Sequence, residues 1–149
     1  MRTILVIPQI GFTKNQQAVI RSAEAFGISE VCIIGKDEYK FSARVTRGGH
    51  KHIKIRRFPD VDTCLNYLAG ERIKIISIEN DDDAVSLCGY KFPANVAFVV
   101  GHERNGVPKE FLDNSIHVRI PQYGLMKCLN TSVASSIVLY ERFKQRLRI

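Results

Sequence analysis

Short apolar runs, each stopped by a proline or a glycine, alternate along this chain with amphipathic segments. That alternation limits the fold more than any other feature. Thr3 to Ile7 ends at Pro8, Val31 to Ile34 at Gly35, Val96 to Val100 at Gly101, and His117 to Ile120 at Pro121. Such continuous runs read as strands covered on both faces. Between them, Asn15 to Phe26 places Val19, Ala23 and Phe26 at helical spacing with Gly27 as a terminator. Asp60 to Ala69 puts Val61, Cys64, Leu65 and Leu68 on one face before Gly70. Ile73 to Ile78 reads as a further strand, His52 to Ile55 as another, and Pro108 to Leu112 as a short helix. The expected fold is α/β, a mostly parallel sheet with helices on both faces.

The stretch Ile120 to Tyr140 carries the strongest local signal. After the strand comes a polar loop with Gly124, then Cys128, Leu129 and Asn130, then a helix that Asn130 or Thr131 can cap. Val133, Ala134, Ile137, Val138, Leu139 and Tyr140 leave almost no polar side, so this half of the helix is expected to be buried. Three polar loops, Gln9 to Asn15, Gly101 to Pro108 and Pro121 to Asn130, would leave a parallel sheet at one edge, where such sheets bind ligands.

With 149 residues, 45% of them hydrophobic, the chain suits a single domain spanning 1–149 with a proper core. Met1-Arg2-Thr3 runs straight into a stretch too short for a signal or a membrane span, so a cytoplasmic, or else nuclear, location is expected. Cys32, Cys64, Cys88 and Cys128 lie far apart without a C-x-x-C, which argues for buried thiols and against metal sites or disulfides. Glycine-rich nucleotide motifs are absent. A formal charge of +7 favours a polyanionic partner. Lys36, Lys40, Arg44, Arg47, Lys51, Lys54, Arg56 and Arg57 crowd one segment, and Arg142, Lys144, Arg146 and Arg148 crowd the C-terminus. Both patches suit phosphate contacts. Arg21 points about 200° away from Val19 on its helix. Ala18 and Ala25, each one turn from it, would let a second surface approach closely.

Three segments in order, N-Q-Q-A-V-I-R-S-A-E-A-F-G (Asn15 to Gly27), V-V-G-H-E-R-N-G-V-P (Val99 to Pro108) and I-P-Q-Y-G-L-M-K-C-L-N-T-S-V-A (Ile120 to Ala134), resemble the three motifs of the SpoU (TrmH) family. These are ribose 2′-O-methyltransferases of the SPOUT superfamily. The resemblance implies a C-terminal deep trefoil knot, a homodimer, no metal, and S-adenosylmethionine held largely by backbone at Gly101, Ile120 and Leu129, with Ile78 at an earlier strand end. It implies that Asn15, Arg21, Glu103 and Asn130 are the polar site residues, with Arg21 supplied by the neighbouring subunit. Arg21 would stabilise charge on the ribose oxygen, Asn130 would orient the hydroxyl or the cofactor, and Glu103 would hold the loop or Arg21. Cys128 stands where the family commonly has Ser, His102 where Asn is usual and Gln122 where Met is usual. Arg44, Arg47, Lys51, Lys54, Arg56 and Arg57 are then expected to hold RNA, with tRNA favoured over rRNA. The other reading is a non-catalytic RNA-binding or assembly protein of the same fold.

Overall fold

A computed structural model describes residues 1–8, 14–35, 40–102, 104–126 and 128–147. Seven strands form one sheet: β1 (Thr3–Pro8), β2 (Glu30–Ile34), β3 (Lys54–Phe58), β4 (Lys74–Ile78), β5 (Val85–Ser86), β6 (Val96–Val100) and β7 (Ile116–Arg119), in the order β3-β2-β1-β6-β4-β7-β5. Every pairing is parallel, with registers such as Leu5 against both Val31 and Phe98. The expected α/β class with a mostly parallel sheet is what the chain adopts. The two-residue β5 is too short to carry a periodic signal, and β3 begins two residues later than the expected His52.

Side chains alternate across the sheet, which divides the core in two. Leu5, Ile7, Val31, Ile33, Phe98 and Val100 face α1 (Lys14–Ala25) and α5 (Thr131–Leu147). Ile4, Val6, Cys32, Ile34, Ala97 and Val99 face α3 (Val61–Gly70) and α4 (Lys109–Leu112). β1, β2 and β6 are buried along their whole length, as two covered faces require. Asp60 caps α3, its carboxylate accepting from the Thr63 amide at 2.8 Å. A short α2 (Ala43–Thr46) and a 3₁₀ turn (Gly49–Lys51) lie on α1. There a side chain at Gly49 would stand 3.6 Å from the Arg21 Cα.

Two expectations need correction. Only one face of the α5 apolar stretch is buried. Val138 and Leu139 are covered, whereas Val133, Ile137 and Tyr140 are exposed on the opposite side. At 100° per residue these three lie roughly 180° from the line of Ser135, Val138 and Arg142 that meets the sheet. The cysteines divide as well: Cys32 and Cys64 are buried, Cys88 and Cys128 exposed.

The amino edge of the sheet is tied by an ion cluster around Glu30, which is 1% exposed. Its carboxylate accepts from Arg56 Nε at 2.7 Å and Arg2 Nη2 at 2.9 Å, with Lys54 Nζ at 3.4 Å and the Tyr67 hydroxyl at 3.2 Å. Burial pushes the Glu30 carboxyl up, but the hydrogen bonds from Arg56 and Arg2 outweigh it and hold the group below its ordinary value of 4.5. A depressed carboxyl contributes stability that is present above its unfolded value and lost as the pH falls. Glu30→Gln should therefore cost roughly 2–4 kcal/mol at neutral pH, by leaving Arg56 and Lys54 without their counter-charge and Arg2 with Glu71 alone. Denaturant unfolding at pH 7 and pH 3.5 checks this: the difference between variant and parent should shrink at the lower pH.

Candidate functional site

Because all strands run the same way, the residues that follow β4, β6 and β7 emerge together. They meet the start of α5 around a cleft of about 440 Å³. Ile78, Glu79 and Asn80 come from the end of β4, Val100 from the end of β6 and Gly101 and Gly106 from beyond it, and Ile120 and Gln122 from beyond β7. Cys128, Leu129, Asn130, Thr131 and Ala134 close it from the α5 side. The cleft is apolar along the strand ends and polar at its rim, the mixture that holds a small organic ligand.

The loop after β6 is a tight antiparallel turn. His102 N–H donates to the Gly106 carbonyl at 3.1 Å, and Gly106 N–H returns to the His102 carbonyl at 2.9 Å. Gly106 has φ +66, a conformation that favours glycine. A Cβ on Gly101 would stand 2.8 Å from the Gly106 carbonyl carbon. Gly101 is therefore required by the loop's own backbone, whatever approaches from the cleft. Glu79 braces the same turn by accepting from the Val107 amide at 3.3 Å. The Thr131 hydroxyl donates to the Gly101 carbonyl at 3.0 Å, which fixes the first turn of α5 to the end of β6. Asn130 caps that turn: its Oδ1 accepts from the Ser132 amide at 2.9 Å and the Ser132 hydroxyl at 2.7 Å.

Beside the cleft, His117 of β7 bridges Asp81 Oδ2 at 2.6 Å and the Leu112 carbonyl at 2.9 Å. Both partners accept, so the ring is stable as the doubly protonated cation. The Leu112 carbonyl, helped by Asp81 against some desolvation, raises its pKa above the usual 6.5.

Of the expected site residues, the structure brings Ile78, Gly101, Ile120, Leu129, Cys128 and Asn130 together around this cleft. It places Asn15 and Arg21 elsewhere, exposed on α1 and outside the cleft lining. Glu103 lies outside the described residues, as does most of the Gln9 to Asn15 loop. The basic segment also divides. Arg44, Arg47 and Lys51 are exposed on the part that packs against α1. Lys54 and Arg56 bind Glu30 at the amino edge, and Arg56 further lies 4.6 Å from the Tyr67 ring centre. Arg57 lies over the Phe41 ring at 5.3 Å. Arg56 thus shares the one carboxylate of Glu30, a polar residue opening an apolar strand, with Arg2 and Lys54.

Glu79, Asn80, Gly106 and Thr131 were missing from the expected set. The first two follow an apolar strand as directly as Gly101 does, so the carboxyl-end rule that selected three loops would have selected a fourth.

An all-parallel α/β sheet with a cleft between its carboxyl ends and one long helix is the arrangement in which α/β proteins bind small ligands. Residues 2–140 match the SpoU rRNA Methylase family, and the chain belongs to it. It is 26% identical over 140 residues to the tRNA (guanosine(18)-2′-O)-methyltransferase of Escherichia coli, across 93% of this chain and 61% of that one. It is 30% identical over 152 residues to the 23S rRNA (guanosine-2′-O-)-methyltransferase RlmB of Acinetobacter baylyi, across 97% of this chain and 60% of that one. The chain thus spans about three fifths of the length of these curated relatives. Its fold superposes on the A. aeolicus TrmH/SpoU tRNA modifying enzyme with a TM-score of 0.89 at 25% identity, covering 98% of this chain and 76% of that one.

Gly101→Ala should destabilise the protein by about 1–3 kcal/mol, since the new methyl must displace backbone rather than a flexible side chain. Urea unfolding measures the cost. An unchanged midpoint would mean that the turn at His102 and Gly106 opens freely.

Proposed function

We propose that the chain is an S-adenosylmethionine-dependent RNA methyltransferase acting on a ribose 2′-hydroxyl, with tRNA favoured over rRNA. One observation carries the reading: a single cleft gathers Ile78, Gly101, Ile120 and Leu129 together with Cys128 and Asn130. Family membership supports the reaction class, and the name of the E. coli relative supports tRNA.

The cleft fits the cofactor. Its volume lies within the roughly 300–1,000 Å³ common for such ligands. Ile78, Ile120 and Leu129 offer apolar wall for a purine, and Asn80, Gln122 and Asn130 offer polar groups for a ribose and an amino acid. The cofactor, when bound, supplies an activated methyl group on a cationic sulfonium. What remains for the protein is to align the ribose oxygen and to stabilise the charge that grows on it as its proton leaves. Arg21 takes the second task. A guanidinium serves as a fixed positive partner rather than a base. Asn130 sets the first turn of α5 at the cleft wall. Cys128 presents a thiol, a weak hydrogen-bonding group, at the rim.

Arg21 belongs to this reading through a second subunit. On α1 it is exposed beside Ala18 and Ala25, and α1 is joined to α5 by the Ser22–Ser136 hydroxyl contact at 2.7 Å. The uncovered Val133, Ile137 and Tyr140 continue that surface. A homodimer closing over it would bury the apolar stripe and carry Arg21 to the partner's cleft. The trefoil knot of the family, with α5 passed through the loop that contains Gly101, is part of the same proposal.

Incubating the protein with S-adenosylmethionine and unmodified tRNA or rRNA, then digesting to nucleosides for mass spectrometry, tests the reaction. A 2′-O-methylated nucleoside from the tRNA pool is expected. Cofactor binding with neither pool methylated would count against the activity. Arg21→Ala should lower turnover at least about a hundredfold, the scale of one lost charge-stabilising donor, with cofactor affinity nearly unchanged. Undiminished turnover would remove Arg21 from the site.

A further inference from the structure

A second cavity, of about 640 Å³, opens at the amino edge of the sheet between the last turns of α5 and the segment Gly89 to Ala94. Arg142 lies eleven residues beyond Thr131, roughly 16 Å further along the helix axis, so this cavity is separate from the cleft. Four cations line it, Lys91, Arg142, Lys144 and Arg146, against the one carboxylate of Glu141, which is itself paired with Lys144.

Arg142 is the unusual member. It is 3% exposed, yet no carboxylate among the described residues pairs with it. Its Nε donates to the Thr3 hydroxyl at 3.2 Å and its Nη2 to the Ala94 carbonyl at 2.7 Å, both neutral acceptors. A buried charge without an opposite charge is costly. Desolvation first, then repulsion from Arg146, lowers its pKa. An anion in the cavity would relieve both effects, and a guanidinium fork suits a phosphate.

The rest of the cavity is firmly built. Gln145 accepts from the Phe92 amide at 3.1 Å and donates to the Tyr90 carbonyl at 2.8 Å, which locks the opposite wall to α5. Tyr90 stands edge-on to Phe92 with ring centres 5.5 Å apart, an aromatic surface beside the cations. We propose that this cavity binds a phosphate-bearing nucleotide, its phosphate on Arg142 with Lys91 and Arg146, and its base or sugar against Tyr90. The nucleotide is either part of the RNA strand, which rests on the methyltransferase reading, or a free mononucleotide, which does not.

Two measurements separate these. Inorganic phosphate titrated into the protein should shift the Arg142 Nε–H and the Tyr90 and Phe92 amide signals saturably in NMR spectra. Lys91→Glu with Arg146→Glu, both exposed and outside the cleft, should abolish that response without the folding risk of replacing Arg142. The same double variant should weaken tRNA binding at least about tenfold and reduce the slope of log affinity against log salt by roughly 2. Phosphate binding lost with RNA affinity intact would assign the site to a free phosphate compound. Wild-type protein that binds phosphate at Arg142 but no RNA would sink the methyltransferase reading and leave the site standing. If wild-type protein shows no phosphate response and the double variant keeps its RNA salt slope, the proposal is overturned.

Discussion

The structure depends on the shared direction of its strands. With every ladder parallel, all carboxyl ends lie on one edge and all amino ends on the other, so the chain has two chemically distinct rims. Parallel pairing also demands that both faces be covered. That explains why β1, β2 and β6 are buried throughout and why four helices divide between two core halves. The central pair, β1 and β6, also marks where the chain reverses its progress through the sheet: β1 to β3 step outward one way, and β4 lies beyond β6 on the other side. The cleft forms on that second side.

Most of this arrangement was legible because the signals were long or chemically specific. The apolar runs ending at Pro8, Gly35 and Gly101 mark strands without reference to anything distant. Gly27 and Asp60 mark helix boundaries through their own backbone and side-chain preferences. The cleft residues were found because they follow strand ends and because their motifs resemble a known family. What remained hidden depended on pairing across the fold. Arg56 and Glu30 are 26 residues apart and meet only because β2 and β3 are in register. A count of positive charge does not reveal that Arg56 is also tied to Glu30. Hydropathy of α5 likewise could not tell a helix buried all round from one with two apolar faces, one of them uncovered.

α5 joins the two rims. At its first turn Thr131 holds the end of β6 and Asn130 caps the helix beside the cleft, so the cleft wall is tied to the sheet. Near its last turns Arg142 and Gln145 hold the amino-edge segment from Tyr90 to Ala94. Between these anchors Val138 and Leu139 seal the core, and Val133, Ile137 and Tyr140 face outward. One helix thus fixes a cleft, a core face, an open apolar stripe and a basic cavity in rigid relation.

That rigidity bears on how a distant Arg21 serves the proposed reaction. α1 is packed on α5 through Ser22 with Ser136 and through Phe26 with Tyr140, whose rings lie 5.9 Å apart. Arg21 is therefore fixed in position relative to its own cleft, and that position is outside the lining. Bringing it in within one subunit would mean unpacking Val19, Ile20 and Ala23, which are fully buried. Several kcal/mol of apolar burial would be lost for one contact. In the proposed homodimer a second copy would require no such loss, because closing over the α5 stripe would remove further apolar area from water. The balance of these burial energies, more than any feature of Arg21 itself, is what favours the proposed homodimer over a rearrangement within one subunit.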